Sequence, residues 1–160
     1  MTVKKTDNET LTPTQRWTGL LVIVGMLLLA GFFAYHQFTN TGFFTAKFGS
    51  LEMLCLYGPI LVSFAAPIAR AMSGRQNPGR PFDAATNLSL AAGSLWLWIV
   101  FPFNFAHLGD VFPNALRFAT SWITNDIGKL LLLLQAIIGP ITALLTILKY
   151  LSIRRQSPAM

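Results

Sequence analysis

Apolar residues fall in four long runs separated by polar or by glycine- and proline-rich stretches. The longest is 127–150, IGKLLLLLQAIIGPITALLTILKY, in which Lys129 and Lys149 enclose 19 uncharged residues. At 1.5 Å per residue such a helix matches the roughly 30 Å hydrocarbon thickness of a bilayer. Three similar runs precede it, at about 17–36, 51–69 and 84–105. The pattern predicts an all-α integral membrane protein, a bundle of four transmembrane helices over 17–150. A polar tail over 1–16 precedes the bundle and a basic tail over 151–160 follows it.

The connecting stretches refine this outline. Thr12 and Pro13 supply a helix cap and a first-turn proline, with the tail expected to be mobile up to about Leu11. The first run is longer than a signal-peptide core and ends in Phe32, Phe33 and Tyr35 rather than small residues, so retention as a span is expected. Residues 37–50 carry four phenylalanines, too many for a water-exposed loop, which implies that they enter the headgroup region or cover a helix. Pro59, beside Gly58, predicts a kink in the second span. Ala65 with Ala69, and Ser89 with Gly93, are pairs of small residues suited to close helix contact. Residues 70–83, RAMSGRQNPGRPFD, form a tight basic turn. Between spans three and four, 114–123 is expected to form a short interfacial helix, and Thr124, Asn125 and Asp126 to cap span four.

Composition agrees with a membrane setting. Apolar residues make up 53% of the chain and charged residues 11%, about half the usual charged share of a soluble domain. The net charge of +6 comes from residues at the ends of apolar runs, without the aromatic interleaving of a nucleic-acid groove, so no nucleic-acid partner is expected. Nine of the twelve Lys and Arg residues lie in the N-terminal tail, the 70–83 turn and the C-terminal end. The positive-inside rule therefore puts both termini in the cytoplasm, in a plasma (inner) membrane as the default for a chain without a retrieval signal. The lone Cys55 excludes an intrachain disulfide and an all-cysteine metal site.

Three groups of residues invite a chemical reading. His36, Glu52, Asn104, His107, Asp110, Asp126 and Lys129 all fall at the non-cytoplasmic ends of spans. Two imidazoles and carboxylates at one depth are suitable ligands for a metal, and suitable proton carriers. Glu52 and Asp126 are equally accounted for by the helix dipole. Asn87, Ser94, Gln135 and Thr142 lie deeper and would line a pore only between several copies of the chain. Arg70, Arg75, Arg80, Arg154 and Arg155 suit anionic lipid headgroups on the cytoplasmic face. No catalytic motif is present and no cofactor is expected. The reading that follows is a small non-enzymatic membrane protein acting through helix packing, as an accessory subunit of a membrane complex or as a homo-oligomer. An oligomeric channel or transporter is the alternative, and a metal- or haem-binding protein using the outer layer is the third.

Overall fold

A computed structural model describes residues 9–156, and among these residues the chain is helical, with two isolated β-bridges in place of any strand. Its helices are α1 (Pro13–Phe38), α2 (Ser50–Val62), α3 (Ala65–Ser73), α4 (Arg80–Val100) and α5 (Asn125–Gln156). Short 3₁₀ turns occupy Asn77–Gly79, Phe105–Val111 and Asn114–Ala119. Three segments are long and apolar enough to cross a membrane: Pro13–Phe38, the α2–α3 unit Ser50–Ser73, and Asn125–Arg155. α4 is not among them. It carries Thr86, Asn87, Ser89, Gly93 and Ser94, which dilute the apolar character.

Local chemistry sets the helix limits. Thr12 opens α1 through a capping box: its hydroxyl accepts the Gln15 N–H at 3.3 Å, and its own N–H donates to Gln15 Oε1 at 3.0 Å. Span one is therefore longer than the 17–36 run at both ends. Span two breaks between Val62 and Ala65, later than the kink expected at Pro59. Pro67 explains this, because a proline has no N–H for the carbonyl four residues back, at Ser63, and its ring clashes with it. Span three ends at Val100 instead of about 105. Pro102 drives its predecessor out of the right-handed helical region, and Phe101 closes the helix at φ +42°. Span four runs on to Gln156, so the expected C-terminal tail is helical over 151–156. The 114–123 helix is replaced by a 3₁₀ turn over Asn114–Ala119, with Leu116, Phe118 and Trp122 exposed around it. The caps of α5 divide their work: Thr124 Oγ1 accepts the Ile127 N–H, whereas Asn125 Oδ1 accepts from Phe105.

α4 is the central helix, packed against α2, α3 and α5. Its buried residues Arg80, Ala84, Ala91, Ser94 and Leu97 recur at helical spacing on one broad face, and Gly93, also buried, lies away from them toward α2. Close approach depends on glycine at two points. A Cβ on Gly93 would lie 2.5 Å from the carbonyl oxygen of Cys55 in α2. That carbonyl is the one Pro59 leaves without a helical donor, so a Gly93 Cα–H faces an acceptor that needs one. On the other side, a Cβ on Gly139 of α5 would lie 2.8 Å from both Ala91 Cβ and the Asn87 carbonyl oxygen. Of the expected small-residue pairs, Gly93 is at a contact, while Ser89 turns its hydroxyl to Thr86 O. At the basic turn the close contact uses Ala66 and Gly79 rather than Ala65 and Ala69.

The loop phenylalanines cover helix ends. Phe43 is 1% exposed and, with Leu97, Phe103 and Leu108, forms the main apolar cluster, whereas Phe38 remains 84% exposed. Burial of one such ring is worth about 1.5–3 kcal/mol. Two backbone bonds fix the loop to the segment after α4, Thr45 N–H to Pro102 O at 2.9 Å and Asn104 N–H to Phe43 O at 2.7 Å.

The glycine contacts predict that Gly93→Leu destabilises the protein by about 1–3 kcal/mol, since a backbone carbonyl cannot move aside for the new side chain. Thermal unfolding in detergent measures it. Gly25→Ala, where a Cβ meets nothing within 4 Å, is the control and leaves the midpoint unchanged or higher.

Candidate functional site

The outer polar layer divides into two parts. His36, at the end of α1, is 1% exposed and lies between Phe32 and Phe43, with ring centroids 4.8 Å away on each side. Its Nδ1 shares a 2.5 Å hydrogen bond with Thr41 Oγ1, and its Nε2 has no partner among the described residues. The Thr41–Gly42 turn then carries the chain to His107, because a Cβ on Gly42 would sit 3.1 Å from the His107 ring. Gly42 has φ +93°, a conformation only glycine adopts without strain, so the turn and the close approach require the same residue.

His107 and Asp110 meet through the 3₁₀ turn rather than through a continued helix, since side chains three apart eclipse in that geometry. His107 Nδ1 is 2.8 Å from Asp110 Oδ2, and a carboxylate only accepts, so the proton is on Nδ1. Arg117 reaches the other oxygen at 3.3 Å and ties the two 3₁₀ turns together. The hydrogen bond from His107, with the Arg117 charge adding to it, holds the Asp110 carboxyl below its ordinary value.

The remaining residues of the layer stand apart. Glu52 is buried, and both of its oxygens are used: Oε2 accepts the Gly49 N–H at 3.0 Å and Oε1 the Trp96 indole N–H at 2.9 Å. It clamps the start of α2 to α4. Asn104 Oδ1 accepts the Ala106 N–H at the head of the first 3₁₀ turn. Asp126 is exposed in the first turn of α5, and the Lys129 ammonium lies 4.9 Å from the Phe101 ring centroid. Among the described residues no group of three or more His, Cys, Asp or Glu side chains is placed to hold a metal ion.

The deeper polar residues lie on two packed helices, α4 and α5, seven positions apart on each. Ser94 is buried and Asn87 half-buried on α4, Thr142 bonds to Ile138 O within α5, and Gln135 is exposed. At the opposite end, two of the expected lipid-binding arginines are engaged internally. Arg70 pairs with Asp83, and Arg80 makes a two-pronged contact with Glu9 at 2.9 and 3.0 Å while reaching Asn77 at 2.6 Å. Arg75, Arg154 and Arg155 are exposed. The same pairing corrects the mobile tail: Glu9–Leu11 is docked, with Leu11 N–H on Gly74 O and Gln76 N–H on Glu9 O, while residues 1–8 lie outside the described part. Glu9, Thr41, Gly42, Trp96 and Arg117 were not legible as site residues. Only Thr41-Gly42 carried a local signal, a turn dipeptide beside an aromatic pair.

Among the described residues the chain is all-helical, with three segments long and apolar enough to cross a membrane and two ends closed by different chemistry. Neither a protein-family model, a curated protein nor a solved structure matches it.

Because the Asp110 carboxyl is held below its ordinary value of 3.8, its ionised form contributes stability that is present above that value. The contribution is lost as pH falls through the depressed folded value. Thermal midpoints at pH 5 and pH 3 therefore drop further for the wild type than for Asp110→Asn, in which the contribution is already absent at both.

Proposed function

We propose that the protein is a small multi-pass membrane protein that acts by packing its helices against other membrane helices, in a homo-oligomer or as an accessory subunit of a larger complex. Four crossings are inferred, with α4 as the fourth. Support comes from the connectivity, since the N-terminal segment, the α3–α4 turn and the end of α5 meet at one end, and the phenylalanine loops at the other. The end that collects most Lys and Arg is assigned to the cytoplasm of a plasma (inner) membrane.

The observation that carries the packing reading is Gln135. It lies six residues inside Lys129, is exposed on α5, and has no hydrogen-bond partner among the described residues. An unpartnered amide in an apolar medium costs about 1–3 kcal/mol, which an interhelical hydrogen bond recovers in part. α1 adds to the argument, because none of its most apolar stretch is buried against the rest of the chain. Membrane helices that offer polar groups outward do so where another helix answers them.

Native mass spectrometry after gentle extraction tests this. The expected result is a discrete oligomer or a fixed-ratio complex, weakened about three- to thirtyfold in dissociation constant by Gln135→Leu. A monomer in the wild type, carrying lipid alone, overturns the reading. A homo-oligomer with solute flux in liposomes that Gln135→Leu abolishes would make the packed assembly a channel.

A further inference from the structure

Two neighbouring openings at the basic end share Gln15, Arg70 and Gln76 in their walls. The first is a groove of about 370 Å³ between α1 and α3, with Leu20, Ile23, Pro67 and Ile68 supplying an apolar lining. Gly19 faces Pro67 across it, and a Cβ added there would reach contact at 3.7 Å, so a larger side chain would take up groove space. The second is a polar cleft of about 730 Å³ bounded by the docked N-terminal segment, the α3–α4 turn and the last turns of α5. Both volumes fall within the roughly 300–1,000 Å³ of small-molecule sites.

The charge balance identifies the kind of guest. Within the cleft, Glu9 and Asp83 are taken up by Arg80 and Arg70. Lys149, also in its wall, has no carboxylate partner among the described residues, and neither has Arg16 at the mouth of the groove. What remains is net positive charge beside amide side chains, and it opens into an apolar channel on the lateral surface of the bundle. A soluble anion would use the cleft and leave the groove empty, whereas an alkane would use the groove and leave Lys149 and Arg16 unanswered.

We infer that this composite pocket binds one anionic phospholipid, with its headgroup in the cleft beside Lys149, its glycerol region against the shared Gln15 and Gln76, and an acyl chain entering the α1–α3 groove past Arg16. The inference is independent of what α5 packs against. It also differs from a diffuse attraction of the basic end for charged membranes, because it requires a chain-binding groove and a particular lysine.

The test is retention of phosphatidylglycerol by the full-length protein in phosphatidylcholine nanodiscs, read by native mass spectrometry. The wild type is expected to retain one phosphatidylglycerol per chain in preference to phosphatidylcholine. Lys149→Gln, an exposed change, should lower that retention about fivefold, as expected for one cation near a headgroup. Gly19→Leu should lower it by filling the groove, and because its new Cβ would already lie 3.7 Å from Pro67 Cβ, the thermal midpoint of the variant is measured beside the lipid retention. Glycerol 3-phosphate, which has the headgroup chemistry without the chain, should fail to displace the lipid. Equal retention of the two lipids, unchanged retention in either variant, or displacement by glycerol 3-phosphate would overturn the inference.

Discussion

Everything in this fold depends on how closely α4 approaches α2 and α5. In lipid there is no hydrophobic force between helices, so packing contacts and polar satisfaction must hold them together. Gly93 and Gly139 remove the side chains that would keep the backbones apart, and Ala91 lies at the second contact. The Cys55 carbonyl shows why the match is specific. Pro59 in α2 creates an acceptor without a donor, and Gly93 of α4 is slim enough to approach it. Glu52, one turn earlier, completes the same interface by bonding to Trp96. α2 and α4 are therefore joined at a backbone defect and at a buried carboxylate, two groups that a bilayer would otherwise penalise.

The ends of the bundle are closed by opposite means. At one end, stacked and edge-on phenylalanines from the 39–49 loop and the 101–105 segment form a lid, with His36 enclosed and His107 tied to Asp110 at its rim. At the other, ion pairs and short backbone contacts hold the N-terminal segment to the α3–α4 turn. The Arg80–Glu9 pair is the better protected of the two ion pairs there, and it joins residues 71 positions apart. Removing one partner of such a pair leaves a poorly solvated charge, so a single substitution at Glu9 or Arg80 costs more than one at an exposed pair, although desolvation offsets much of what the pair itself contributes.

The helical class and the approximate spans were legible because long apolar runs bounded by charge have few other solutions. Helix limits were legible where a local rule governs them, as at Thr12 and Pro13. They were missed where two rules compete: Pro59 and Pro67 both break a helix, and the chain bends where the second takes effect. The phenylalanine loop was read as covering or embedded, and the structure places Phe43 inside. The polar sites were less legible, since their geometry is made by distant partners. Nothing in RAMSGRQNPGRPFD indicates that Arg80 turns to Glu9 instead of lipid, because the partner lies in a tail whose own composition suggests mobility. His107 and Asp110 were paired through a 3₁₀ turn that no periodicity announces.

Of the three apolar segments, α1 is the one whose most apolar stretch is least buried among the described residues. α1 is joined to the bundle by its two ends, through Leu11 at one and His36 at the other, and touches α3 and α2 in between. Gly25 and Gly31 face open space, and the most apolar stretch of the helix covers nothing within the chain. A helix held at its ends with an open flank has a defined position and an unfilled side. Whatever occupies that flank, whether lipid at the α1–α3 groove or another helix further along, contributes to its packing without rearranging the core. The arrangement suits a protein whose fixed part is α2, α4 and α5, and whose α1 meets the surroundings.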